Sequence, residues 1–235
     1  MELLLKFSNP SIIFILSEYG SDPRINGSLI LSFLKHRPKA KAIKNDMHLP
    51  WLELDIAVPY DNILNEFNNI KDQVVKHRSS DRLLNQTHKG WNSLTIHGVD
   101  ATTTEAKEGL NTWTSVADQC PQTKQWIQQN FIINEQTGRI RFMYLEPGGW
   151  IMPHKDRDVH KLYEINVAIS NPKGCVFRML ERGNIPFAPG KAFIIDTANK
   201  HMIHNDSDQP RLHIILHTDI DDKVIERSYA NCYYS

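Results

Sequence analysis

The 235-residue chain is short of cysteine, of net charge and of long apolar runs. Its three cysteines, Cys120, Cys175 and Cys232, lie far apart and are odd in number. That argues against a disulfide framework and is compatible with a reducing cytoplasm. Lysine plus arginine total 27 and aspartate plus glutamate total 27, so the formal net charge is zero. Such a balance gives no support to nucleic acid or an anionic membrane as a partner. The longest apolar run, Ile12 to Leu16, is far too short to span a bilayer. The opening MELLLKFSNP, without a basic start and a long apolar stretch, makes a poor signal peptide. Internal repeats and low-complexity segments are missing too, which excludes solenoids and propellers. The expectation is a soluble cytoplasmic protein with neither nucleic acid nor membrane as partner. Histidine is what stands out: eleven copies, six of them after residue 150.

The chain suits one large domain, or a core domain with an appendage. Residues 1–50 read as an N-terminal extension, and its basic stretch 35–44 reads as solvated surface. Residues 51–138 read as a mixed helical and strand part packed on a core. WLELDIAV, residues 51–58, alternates like a strand. Asp61 then looks like the N-cap of a helix running to about Arg78, with Ile63, Phe67, Ile70 and Val74 on one face. A second helix is expected to start at Cys120-Pro121 and to bury Trp126 and Ile127. From residue 139 the texture changes. GRIRFMYLEPGGWIMPH reads as two strands around a Pro-Gly-Gly turn, followed by KLYEINVAIS, GCVFRML, KAFIIDT, KHMIHN and PRLHIILH. Short strands at close spacing without helices between them predict an antiparallel barrel or sandwich. The fold class is therefore mainly β with flanking helices, a jelly roll over 139–219, with 220–235 as a C-terminal tail.

His154-Lys-Asp156 offers an imidazole and a carboxylate two residues apart, on one face if the segment is a strand. With a second histidine these donors make the facial triad of non-haem Fe(II) oxygenases, which leaves adjacent positions for a 2-oxoacid and dioxygen. The His-x-Asp pattern occurs three times, also at His204/Asp206 and His217/Asp219. The last has no later histidine, and Asp206 sits in the turn-like NDSDQP. His201 and His204 compete for the third position and have opposite strand parity. A hairpin turn centred on Asp206 would place His201 opposite Arg211; a one-residue slip would reverse the choice. An inward Arg211 can grip the distal carboxylate of 2-oxoglutarate in bidentate fashion, and His213 on its face could assist the cosubstrate.

LEPGGWIMPHKD, NPKGC and PGKAFIIDTANKHMIHNDSDQPR together resemble the aspartyl/asparaginyl β-hydroxylase family of 2-oxoglutarate oxygenases. The family elements fall on Pro147-Gly148, His154, Gly174-Cys175, Gly190-Lys191 with Asp196, His201 and Arg211, and the resemblance covers roughly residues 50–217. It implies a double-stranded β-helix of cupin-like type and hydroxylation of an amino-acid side chain, free or peptidyl. Fe(II) is the implied metal, 2-oxoglutarate and O2 are consumed, and succinate and CO2 are released. It also supports His201 over His204. Asp156 is present, as in the bacterial proline hydroxylases that the chain also resembles, whereas some animal members lack this carboxylate. KLYEIN carries Glu164 and Asn166 where members often show basic residues, and Asn166 could still hydrogen-bond the cosubstrate. Arg141 and Trp91 are candidate substrate contacts. The competing readings are a cupin-like dioxygenase or isomerase that does not use 2-oxoglutarate, and a non-catalytic metal-binding sensor.

Overall fold

A computed structural model of the chain describes residues 37–78, 87–104 and 110–234. The apolar run Ile12–Leu16 and the start of the basic stretch lie outside the described residues. In chain order the elements are α1 (Ala40–Lys44), β1 (Trp51–Glu53), α2 (Tyr60–Asn68), a 3-10 turn (Lys71–Gln73), β2 (Val75–Lys76), β3 (His88–Gly98) and β4 (Thr112–Trp113). There follow α3 (Ser115–Gln119), α4 (Pro121–Asn130), β5 (Ile140–His154), β6 (Glu164–Ser170), β7 (Cys175–Met179), β8 (Gly183–Asn184), β9 (Ala192–Ile195), β10 (His201–Asn205), β11 (Arg211–Leu216) and α5 (Asp222–Tyr233).

The strands join edge to edge in the order β1-β9-β6-β11-β5-β10-β7-β8, all antiparallel, and β3 adds along β5. The alternation of each strand divides its residues between two cores. Ile165, Val167, Ile169, Leu212, Ile214 and Leu216 face an outer layer of helices, where Phe67 of α2 meets Phe142 at 5.0 Å. Leu145, Ile151, Phe177, Phe193, Ile195 and Ile203 make a second cluster. The strands read as near-continuous apolar runs because both faces are covered. Pro121 opens α4 as expected, and Trp126 and Ile127 are buried. Glu66 of α2 completes that start: its carboxylate accepts from Gln122 N (2.8 Å), Thr123 N (2.9 Å) and Thr123 Oγ1 (2.7 Å), where a helix N-terminus favours negative charge. The basic stretch is not all solvated, since Ala40 and Ile43 of α1 are buried and Lys44 reaches Asp222 of α5.

Three sequence expectations need correction. The helix predicted from Asp61 to Arg78 starts at Tyr60 and ends at Asn68; Val75 and Lys76 instead pair with Ser93 and Asn92 of β3. Its apolar period ran on into Val74, but a strand partner outweighs local propensity. The Pro-Gly-Gly segment is not a turn between two strands but a bend inside one, β5. Residues up to Leu145 pair with β11, and residues from Trp150 pair with β10. Gly90 of β3 crosses that bend with φ +64, and a Cβ there would stand 2.9 Å from Glu146 Cβ. Finally, β10 and β11 do not form a hairpin. β5 lies between them, so His201 faces His154 and Arg211 faces Leu145. Among the described residues no helix is long and apolar enough to cross a membrane.

Candidate metal centre

His154 ends β5 and His201 opens β10, and the two are direct cross-strand partners with rings 4.4 Å apart. Asp156 is not on a strand, as the i, i+2 reading required. It lies in the loop after β5, where its N–H donates to Thr197 O at 3.1 Å. One donor atom from each of His154, Asp156 and His201 lies within 4.8 Å of the others. The Asp156 carboxylate is 3.4 Å from His154 Nε2 and 3.5 Å from His201 Nε2. Both rings are oriented from behind. His154 Nδ1–H donates to Met152 O (2.8 Å), and His201 Nδ1–H donates to Asn199 O (2.9 Å). With the proton held on Nδ1, each Nε2 presents a lone pair to the common centre. Two imidazoles and one carboxylate converging on an open cavity fit Fe(II). His204 alternates to the other side of β10 and bonds Asp206 at 2.9 Å.

Asp196, buried in the turn before β10, ties the ligand segments together. Its carboxylate accepts from His160 Nδ1 (2.6 Å), Ala198 N (3.0 Å) and Asn199 Nδ2 (3.0 Å). His160 belongs to the loop carrying Asp156, and Asn199 orients His201. Asp196→Ala is expected to weaken Co(II) or Fe(II) binding about 10–100-fold with little loss of helix or strand signal. Titration followed by visible absorption and circular dichroism checks this.

Protonation follows from the same contacts. Burial is the largest influence on His154 and lowers its pKa, but the bonds to Asp156 and Met152 together outweigh it and the net shift is upward. His201 is lowered, first by burial and then by the His154 charge. Burial alone would raise Asp156, but the two histidines hold it below its ordinary value.

The triad opens into a cavity of about 380 Å³. Ile151, Phe177 and Ile203 form its apolar wall, with Phe177 stacked on His201 at 5.3 Å. Trp91 and Arg141 both line it, as do His77, Arg78, Arg139, Arg157, Glu164 and His217, whose presence on the wall was not anticipated. One signal for Arg139 was available, because Arg139, Arg141 and Met143 alternate on one face at the start of β5. His77 and Arg78 had no signal, since the helix was extended over them. The His77 pKa is lowered to about 2, first by burial and then by Arg141, Arg78 and Arg139. A histidine held neutral in the fold binds its proton better in the unfolded chain, so its stabilising contribution is present above pH 6.5 and is lost as pH falls. Each unit of acidification below 6.5 is expected to remove up to about 1.4 kcal/mol from the metal-free protein. The urea midpoint at pH 7.5 and 5.5 measures it, and His77→Gln is expected to flatten the fall.

Arg211, His213 and Ile215 share the inner face of β11, but only Ile215 reaches the cavity wall. Arg211 is 2 % exposed, and burial lowers its pKa to about 10. Its Nη2 donates to His213 Nδ1 at 2.8 Å, while its Nε has no partner. Asn171 uses its amide Nδ2 on the Cys175 and Phe187 carbonyls, so its Oδ1 must accept from His213 Nε2–H at 3.2 Å. His213 Nδ1 is then an acceptor. Turning the Asn166 amide, whose Oδ1 now lies 2.6 Å from that Nδ1, would pair the otherwise unpartnered Nδ2. No carboxylate pairs with Arg211 among the described residues. A buried guanidinium of this kind calls for an anion.

Residues 59–221 match the profile of the aspartyl/asparaginyl beta-hydroxylase family. No curated protein matches the chain. Among solved structures, a Trichoplax adhaerens prolyl hydroxylase in complex with a hypoxia inducible factor oxygen degradation domain peptide fragment is 11% identical. It covers 81% of this chain and 92% of its own, with a TM-score of 0.51. A Pseudomonas putida prolyl-4-hydroxylase is 14% identical over 77% of this chain and 98% of its own, with a TM-score of 0.46. At such identities the Trichoplax enzyme shows the fold, a double-stranded β-helix, and nothing about substrate. The family profile spans most of the sequence, and the chain therefore belongs to the aspartyl/asparaginyl β-hydroxylase family, making it a 2-oxoglutarate-dependent non-haem iron dioxygenase.

Proposed function

We propose that this dioxygenase hydroxylates a carbon of an amino-acid side chain, presented free or within a peptide. One oxygen atom of O2 enters the new hydroxyl and the other enters succinate, as 2-oxoglutarate loses CO2. The observation that carries the cosubstrate assignment is the buried Arg211 without an anionic partner, on the inner face of the strand whose Ile215 lines the metal cavity.

His154 Nε2, His201 Nε2 and an Asp156 oxygen hold Fe(II), which when bound supplies the dioxygen chemistry that side chains lack. Arg211 holds the distal carboxylate of 2-oxoglutarate, and His213 with Asn166 fixes the guanidinium in place. Phe177, Ile151 and Ile203 keep water from the reacting centre, while Arg141 and Trp91 contact the substrate. The free cysteines Cys120, Cys175 and Cys232 suit a reducing compartment, the cytoplasm.

The test is succinate formation from 2-oxoglutarate that requires added Fe(II) and is stimulated by amino acids or peptides. Metal binding without cosubstrate consumption across such a panel would leave a binding module instead.

A further inference from the structure

A guanidinium can only donate, so whatever side chain holds Arg211 must accept. Its Nη2 donates to His213 Nδ1 at 2.8 Å, and both residues are buried on one face of β11. A neutral imidazole accepts through one nitrogen only, so this contact requires the His213 proton on Nε2. Asn166 as placed works the other way, because its Oδ1 lies 2.6 Å from Nδ1 and would draw the proton there. A ring protonated at Nδ1 would set one donor against another and leave Arg211 Nη2 without its acceptor. Asn171, just after β6, decides between the two. Its Oδ1 stands 3.2 Å from His213 Nε2, while its Nδ2 donates to Phe187 O at 3.3 Å and to Cys175 O at 3.4 Å. Reversing that amide would set an oxygen against two carbonyl oxygens, so Asn171 offers the ring an acceptor and nothing else. Phe187, tied to the same amide, stands edge-on to the ring at 4.7 Å and 71°. Neither Asn171 nor Phe187 lines the metal cavity.

We infer that Asn171 is a positioning residue for the cosubstrate: by keeping the His213 proton on Nε2, it makes Nδ1 the acceptor that aims the Arg211 guanidinium. This rests on the reading of Arg211 as the 2-oxoglutarate anchor and carries it one contact further back, to a residue that acts through His213.

The experiment is nitrogen-15 NMR of the histidine rings in the full metal-free chain, with His213 assigned by its loss in His213→Gln. The parent ring is expected to be neutral with its proton on Nε2. In Asn171→Ala the proton is expected to move to Nδ1, towards Asn166. Asn171→Asp keeps the acceptor and gives up the amide donors, so it is expected to retain Nε2–H. A residue that only ties the loop together would affect the ring alike in both variants. Anaerobic calorimetry with Fe(II) is the second readout: Asn171→Ala is expected to weaken 2-oxoglutarate binding about 10-fold, with Fe(II) affinity within about 2-fold of the parent. In a His213→Gln background the same replacement is expected to add less than about 2-fold, since no ring is left to orient. A parent ring protonated at Nδ1 overturns the inference. So does an Asn171→Ala protein that keeps Nε2–H, or one that shifts the proton without weakening 2-oxoglutarate binding. Circular dichroism checks folding; should Asn171→Ala unfold, the isosteric Asn171→Asp decides, and loss of Nε2–H in it overturns the inference as well. A parent protein that binds no 2-oxoglutarate defeats the cosubstrate reading before any variant is made, whereas the ring measurement needs neither metal nor cosubstrate.

Discussion

Replacing Arg211 by methionine is expected to weaken 2-oxoglutarate binding by about two to three orders of magnitude while leaving the metal-free protein as stable as before, or more so. The first half follows from the proposed pairing of Arg211 with the distal carboxylate, since removing one partner of a buried charge pair costs about 2–5 kcal/mol. The second half follows from what surrounds Arg211 without cosubstrate: full burial, one hydrogen bond to His213, and an unpartnered Nε. An apolar side chain of similar length removes a desolvated charge, and such exchanges are often neutral or stabilising. Anaerobic calorimetry with Fe(II) gives the affinity, and urea unfolding without metal gives the stability. The opposite pattern, a loss of several kcal/mol of stability with cosubstrate affinity intact, would make Arg211 a structural residue.

His154→Ala and His201→Ala are each expected to lower Fe(II)-dependent succinate formation at least about 1,000-fold, since each removes one of the three donors of the proposed iron site. His204→Ala is the informative contrast. It is a histidine of the same strand and also begins a His-x-Asp pattern, yet it bonds Asp206 on the far side of β10. Its replacement is expected to change turnover by less than about 2-fold, the behaviour of a surface contact. Iron-dependent turnover surviving in a His154→Ala/His201→Ala double variant would remove the triad assignment.

Much of the barrel was legible because it depends on local features. Turn residues bound the short runs from residue 139 onward, and Pro121 marks the first turn of its helix. The donor set was legible for the same reason: His154 and Asp156 are near neighbours, and His201 leads a short apolar strand. What escaped was the relation between strands. Nothing local in Lys200 to Leu216 shows that β5 inserts between β10 and β11, so the imagined hairpin paired His201 with Arg211. The residues share an interior by a different route, each inward on its own side of a bent strand. The Asp156 loop escaped too, because its placement depends on Thr197 and Asp196, some 40 residues away in sequence. The arginines of the cavity wall were hidden for a mixed reason. Arg139 and Arg141 obey a readable alternation, whereas Arg78 and Arg157 come from a mis-assigned helix and a loop.

Anaerobic addition of Fe(II) and 2-oxoglutarate, followed by visible absorption, tests the triad most directly, because a 2-oxoacid chelated to Fe(II) produces a charge-transfer band. One equivalent of iron is expected to saturate that band in the parent protein. The band is expected to be absent in His201→Ala and to need far more 2-oxoglutarate in Arg211→Met. No band in the parent protein, or a full band in the His154→Ala/His201→Ala double variant, would contradict an iron site built from His154, Asp156 and His201.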